Sequence, residues 1–236
     1  MTVPTTDLWH HYGRTRNATD HAVPDRFWWT WGQDSGPGTG LLGTVTGRCV
    51  GDLGAGAARH AAHLTVHHRP ARIDAVDASP AQHTAASNLY GHLAPRLRLI
   101  HRDVTQHLHT SASTYDVLYS VFGAVDFTDP YDLLPAAACA LRPGGRLVFS
   151  TLAHHLGGAS AHLDVQHTDI AAKTPHGEAA TLRRWVLQEH VWTKLLDEAG
   201  FTRIRTEVLS GRADPRGTDT LLVTAFRTDD QRTLQI

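Results

Sequence analysis

Long apolar runs are missing from this 236-residue chain, and its first twenty residues hold no apolar signal-like core. Neither a membrane span nor export is indicated, and a cytoplasmic location is expected. Cysteine is scarce. The only two, Cys49 and Cys139, fall in a predicted strand and a predicted helix. With no CxxC pair, they read as buried free thiols rather than a disulfide framework or thiolate metal site. No charge sign is in excess: 22 basic against 23 acidic residues give a formal charge of −1. That argues against a polyanionic partner such as DNA or RNA. Internal repeats are absent. Histidine is plentiful, at eighteen, but scattered, so most are expected to be solvated.

At this length the chain suits one α/β domain with additions. Residues 1–46 read as an N-terminal aromatic extension, holding four of the six tryptophans (Trp9, Trp28, Trp29, Trp31) with Tyr12 and Phe27. It includes the breaker cluster Ser35-Gly36-Pro37-Gly38-Thr39-Gly40. From Gly47 short apolar runs alternate with helical patterns, the mark of repeated βαβ units. Strands are expected near 48–51, 71–76, 97–101, 115–121 and 146–152, and two more at 201–209 and 219–226. Ser79-Pro80-Ala81-Gln82 predicts an N-cap, a Pro at N1 and a capping box, on a helix with a stripe of Ala81, Ala85, Leu89 and Leu93. Asp129-Pro130 starts another helix, which Pro135 bends or truly begins. Leu141-Arg142-Pro143-Gly144-Gly145 reads as a tight turn into the fifth strand. Residues 153–182 read as an irregular insertion. Leu187, Val191, Trp192, Leu195, Leu196 and Ala199 form a helical stripe stopping at Gly200. The main domain is expected over 47–226, and 227–236 as a flexible tail.

Asp52-Leu53-Gly54-Ala55-Gly56-Ala57-Ala58 lies between a predicted strand and a predicted helix (57–66). A strand, a glycine turn and a helix N-terminus place backbone N–H groups at the carboxyl edge of a parallel sheet, where nucleotide-like ligands bind. The acid two positions before the first glycine would repel a pyrophosphate and attract a cationic amine. S-adenosylmethionine carries an amine, a sulfonium and no phosphate. The stretch resembles motif I of class I S-adenosylmethionine-dependent methyltransferases, of the small-molecule type. Asp77 closing the second strand, Asp103 after the third, and Leu141–Gly145 before the fifth follow in the family's order, over roughly residues 47–150.

That resemblance implies a Rossmann-like, doubly wound seven-stranded sheet, mostly parallel with the last strand antiparallel. It implies S-adenosyl-L-methionine as cofactor and no metal. Asp77 would accept from the ribose hydroxyls, and Asp103 and the Val104 amide would meet the adenine. Asp52, Gly54, Ala55, Gly56, Ala78 and Ser120 complete the expected binding set, with Tyr12 and Trp31 added from the aromatic extension as a lid. Each acid also has a plain use: Asp52 and Asp77 as local turn partners, Asp103 as an N-cap. Ala58 stands where the family has a third glycine. A side chain at Gly54 or Gly56 is expected to collide with the methionine part of the cofactor. A nicotinamide-dependent oxidoreductase competes for this fold, but its sixth-position glycine is replaced by Arg59.

Methyl transfer is an in-line displacement in which the cofactor brings the leaving group and the protein brings alignment. A hydroxyl or protonated amine would benefit from a base. His154 and His155 follow the fifth strand and are candidates. His162 and His167 lie in the insertion. Asp126, after the fourth strand, could orient a substrate or cap a turn. Ser120-Val121-Phe122-Gly123 replaces the Asn/Asp-Pro-Pro-Tyr of enzymes that methylate nucleobases or protein amides. The expected acceptor is a small organic molecule of the kind found in specialised metabolism, methylated on oxygen or nitrogen. The alternative from another class is a cofactor-binding scaffold without turnover.

Overall fold

The computed structural model describes residues 7–12, 22–211 and 217–229. Its strands are β1 (Cys49–Leu53), β2 (Arg72–Asp77), β3 (Leu97–His101), β4 (Tyr115–Val121), β5 (Leu141–Leu152), β6 (Thr168–Lys173), β7 (Ala179–Arg184), β8 (Phe201–Leu209) and β9 (Thr220–Arg227). Its α-helices are α1 (Arg59–His67), α2 (Pro80–Tyr90), α3 (Val104–His109), α4 (Ala124–Phe127), α5 (Pro130–Ala140) and α6 (Glu189–Glu198). Seven strands form one sheet in the order β3-β2-β1-β4-β5-β9-β8. β1 to β5 run parallel, and β9 is antiparallel to both neighbours. An all-parallel dinucleotide-binding sheet has the order 3-2-1-4-5-6. Here an antiparallel strand is wedged in after β5.

The sheet is covered on both faces, which is why its strands read as near-continuous apolar runs. On one face Leu118, Leu147 and Phe149 pack with Leu134, Ala137, Trp192 and Leu195 of α5 and α6. On the other, Val50, Tyr119 and Val148 pack with Ala61, Leu64, Leu89 and Tyr90 of α1 and α2, and with Phe27 and Trp29. Part of the aromatic extension is therefore core: Trp29 is fully buried, its indole N–H donating to the Gly38 carbonyl at 3.0 Å.

Local departures from the sequence reading have physical causes. The buried stripe of α2 is Gln82, Ala86, Leu89 and Tyr90, one position round from the expected one. Asp129 caps α5, and Pro135 sits inside that helix. The Leu141–Gly145 turn is a bulge inside a longer β5, where pairing jumps from Tyr115↔Leu141 to Val117↔Arg146. The insertion is not irregular throughout. It contains the antiparallel hairpin β6–β7, whose less exposed positions, Thr168, Ile170, Ala172, Ala180, Leu182 and Arg184, are too mixed in polarity to show as a strand. Cys139 is exposed and Cys49 half-buried, so neither is a buried thiol. Most of the expected tail, residues 230–236, and the loop residue Pro215 lie outside the described residues. Among the described residues, no helix is long and apolar enough to cross a membrane.

Candidate functional site

The turns after β1, β2, β3, β4 and β5 meet at one edge of the sheet. The first is stitched to β2: the Gly54 and Ala55 N–H groups both donate to the Val76 carbonyl, at 2.9 and 3.1 Å. Gly54 has φ +78°, and a Cβ there would lie 2.3 Å from the Ala124 nitrogen. Reciprocally, a Cβ on Gly123 would lie 2.5 Å from the Leu53 carbonyl oxygen. The turns after β1 and β4 therefore touch backbone to backbone, and the glycine at 54 is demanded by the protein itself before any ligand. Ser120 fastens the same contact, its buried hydroxyl donating to the Leu53 carbonyl at 2.8 Å. Ala58, at the position of the missing glycine, caps α1 in the left-handed conformation (φ +59°), at a cost of about 1 kcal/mol. No side chain caps α1, which leaves its first N–H groups facing this edge.

Asp52 is buried, and the Tyr119 hydroxyl donates to it at 2.8 Å. No basic side chain pairs with it among the described residues. Burial pushes its carboxyl up to about 7, against the pull of the Tyr119 hydrogen bond. Asp77 accepts from the Gly56 N–H at 2.8 Å with one oxygen and from the Ser79 N–H at 2.9 Å with the other. Burial raises it too, and those two N–H groups counteract the rise. Asp103 is exposed and caps α3, accepting from the Gln106 N–H at 3.0 Å. Val104, the first residue of α3, is buried. Ala78 is exposed beside Asp77, and its carbonyl meets the His101 ring at 3.2 Å.

A short strap, residues 7–12, crosses this edge. Asp7 accepts from the Ser79 hydroxyl (3.0 Å) and the Ala81 N–H (3.2 Å). The Gln82 side-chain amide donates to the Trp9 and Tyr12 carbonyls at 3.2 and 2.9 Å. The predicted capping box is thus only half made. Ser79 accepts from the Gln82 N–H, but the Ser79 N–H goes to Asp77 and the Gln82 side chain holds the strap. At its other end His11 meets the Thr174 carbonyl of the β6–β7 turn at 3.0 Å. Rings then continue across the mouth. Tyr12 packs on Trp9 and Trp9 on Phe127, with centroids 5.4 and 4.5 Å apart. The Arg184 guanidinium lies 5.2 Å from both Phe127 and Trp31. Trp31 packs on Phe122 at 5.0 Å.

The catalytic candidates separate. Asp126 is fully buried and paired with Arg184 at 2.7 Å, and its carbonyl accepts from the Trp185 N–H. It fastens the hairpin to α4. The His154 ring engages the His155 carbonyl at 3.0 Å through Nδ1 and the Asp219 N–H at 3.3 Å through Nε2, so both its nitrogens are used. His162 is similarly held between Thr168 and Gln166, at 2.8 and 2.9 Å. His167 lies out on the hairpin beside Asp169 and Trp185. The His155 ring packs on His162 at 5.0 Å and makes no hydrogen bond among the described residues. Burial, and then the neighbouring His162 and Arg184, lower its pKa. Sequence reasoning missed Tyr119, Gln82, Phe127 and Arg184 as parts of this edge. Only the alternation of residues 179–184 could have pointed to the last.

Residues 50–145 match the family model of the methyltransferase domain. No curated protein matches the sequence. Among solved structures, an S-adenosylmethionine-dependent methyltransferase from Mesorhizobium loti shares 22 % identity over 79 % of this chain and 94 % of its own, with a TM-score of 0.59. The 1,6-didemethyltoxoflavin-N1-methyltransferase of Burkholderia thailandensis shares 22 % identity over 78 % of this chain and 72 % of its own, at 0.54. The [4+2]-cyclase SpnF shares 15 % identity, but over 97 % of this chain and 98 % of its own, at 0.64. The strand order, the glycine turn with its two flanking acids and the family match together mark residues 50–145 as similar to a methyltransferase domain on a Rossmann-like sheet.

Proposed function

We propose that the protein binds S-adenosyl-L-methionine at this edge and transfers its methyl group to a small organic molecule. The observation that carries this reading is Asp52, a buried carboxylate with no cationic partner among the described residues, directly before a glycine turn. A buried acid is stabilised by a cation of complementary shape, and the amine of the donor supplies one. Asp77 fits the ribose, since each of its oxygens accepts one N–H and keeps a lone pair for a hydroxyl. Ala55, Gly56 and Ala78 border that carboxylate in sequence. Asp103 holds α3 by one oxygen, and the Val104 amide at the helix start is free for a ring nitrogen. When bound, the donor supplies an electrophilic methyl on a sulfonium. The chain's part is to align it and exclude water. Trp31, Phe122 and the strap with Tyr12 form an aromatic cover suited to that work.

A small-molecule acceptor is supported by the Burkholderia neighbour, whose structure holds 1,6-didemethyltoxoflavin and S-adenosylhomocysteine. The near-neutral charge and exposed free thiol go with a reducing cytoplasm and no nucleic-acid partner. A second reading is favoured by the neighbour matching almost the whole chain, SpnF, named as a cyclase: the donor site would be kept without transfer. Calorimetry with S-adenosylhomocysteine tests the shared part, with Asp77→Ala expected to lose most of the affinity. Methyl-labelled donor with a metabolite extract separates the two readings. Label appearing in a small product supports transfer; bound donor with no labelled product supports the second reading.

A further inference from the structure

The acceptor side of the edge has a definite sign. Resting on the methyl-transfer reading, we propose that the acceptor is an acidic oxygen compound, an enol, phenol or carboxylic acid. Its oxyanion lies against the Arg184 guanidinium, and His155 takes the proton where the acceptor arrives protonated. Three observations lead there. First, Trp31 and Phe127 form a pair of aromatic faces of the kind that would hold an ammonium substrate, but Arg184 already fills the space between them. An amine acceptor would meet a cation there. Second, the guanidinium is 5 % exposed and paired at one nitrogen with Asp126, while its buried Nε has no hydrogen-bond partner. The Asp126 Oδ1 is likewise buried and without a partner, and the pair engages one of the guanidinium's five N–H donors. Third, the groups whose charge acts on His155 are His162, Arg184 and His154, and no acid is among them.

The surrounding wall is apolar: Leu152, Ala161 and Val186 pack with Trp31 and Phe122. An oxyanion in such a place is held by the fixed cation rather than by water. Among the three histidines here, His154 and His162 have both ring nitrogens engaged. His155 therefore holds the available lone pair. In the step, a C–O bond forms at the methyl as its C–S bond breaks. The electron pair stays on sulfur, and any acceptor proton ends on the His155 ring. A neutral amine could use the same base, but its ammonium form, and the cation formed on methylation before its proton leaves, would both sit against Arg184.

The test uses the full chain saturated with S-adenosylhomocysteine, titrated calorimetrically with 2-naphthoate and with 2-naphthylmethylammonium, planar probes of opposite charge. Naphthoate is expected to bind at least about tenfold more tightly, a difference of about 1.4 kcal/mol. In the paired variant Arg184→Met with Asp126→Leu, which leaves no buried charge alone, the preference should fall below about threefold while S-adenosylhomocysteine still binds. Equal or tighter ammonium binding, binding of neither probe, or a preference that survives in the paired variant overturns the proposal. Failure of S-adenosylhomocysteine to bind the wild type instead overturns the methyl-transfer reading. A second measurement needs no variant: the carbon shift of a labelled methyl in the product of an extract assay distinguishes oxygen from nitrogen or carbon. O-methyl supports the proposal, and N-methyl or C-methyl overturns it.

Discussion

Binding of the donor should expel a proton from Asp52. With its carboxyl pushed up to about 7 by burial, roughly three quarters of the free protein carries that proton at pH 6.5 and roughly a tenth at pH 8. An amine cation about 4 Å away gains about 4 kcal/mol at an effective dielectric near 20, which corresponds to about three pKa units. The bound acid is then ionised throughout that range. Release should therefore be roughly 0.7 proton per donor at pH 6.5 and roughly 0.1 at pH 8. Titrating S-adenosylhomocysteine in two buffers of different ionisation enthalpy measures it directly. Asp52→Asn keeps an acceptor for Tyr119 and should lose this component. Release that is flat with pH, or the same in the Asn variant, would refute the reasoning and leave Asp52 as a partner of Tyr119 alone. The same acid shapes stability. Because its folded pKa is raised, the neutral form is the stabilising one. That stability is present below about pH 4 and is lost as pH rises towards about 7. Asp52→Asn should consequently be more stable than wild type at pH 8, by at most about 4 kcal/mol, and the gap should close below about pH 4.

Gly54→Ala should destabilise by more than about 3 kcal/mol, since its Cβ meets the Ala124 nitrogen and its φ is left-handed. Thermal melts should fall by at least about 6 °C; a wild-type melting temperature would contradict the backbone contact. Asp126→Ala strands a buried guanidinium and should cost about 3–5 kcal/mol, whereas the paired Asp126→Leu, Arg184→Met variant should recover most of it. Equal melting of the two would show that the pair is not coupled. Gln82→Leu removes both side-chain bonds to the strap. Limited proteolysis should then cut within residues 7–12 several-fold faster, with the melting temperature little changed; unchanged cleavage would mean that other contacts hold the strap.

The edge proposed to hold the donor was legible because its parts are local. Asp52, Gly54, Gly56 and Asp77 lie at strand ends, where chain order alone fixes the edge they share. What the spacing could not supply was the partner of each group. Gln82 reads as a capping residue but binds the strap seventy-odd residues away in sequence. Tyr119 reads as core, yet its hydroxyl reaches Asp52. The half proposed to face the acceptor was barely legible. Asp126 and Arg184 meet across 58 positions, and the hairpin that brings them together alternates residues of mixed polarity, so its pattern carries little contrast. His154 and His155 were indistinguishable as neighbours in sequence. The Asp219 amide separates them, by engaging the first and leaving the second open.

The β6–β7 hairpin pairs only with itself in the sheet topology. It reaches the donor half through the Arg184–Asp126 pair, the Trp185 N–H and the strap at Thr174. The donor half, by contrast, is interlocked backbone to backbone at Gly54 and Gly123, where almost no substitution fits. Replacing the hairpin would disturb few backbone contacts, whereas a side chain at either glycine would push two turns of the sheet edge apart.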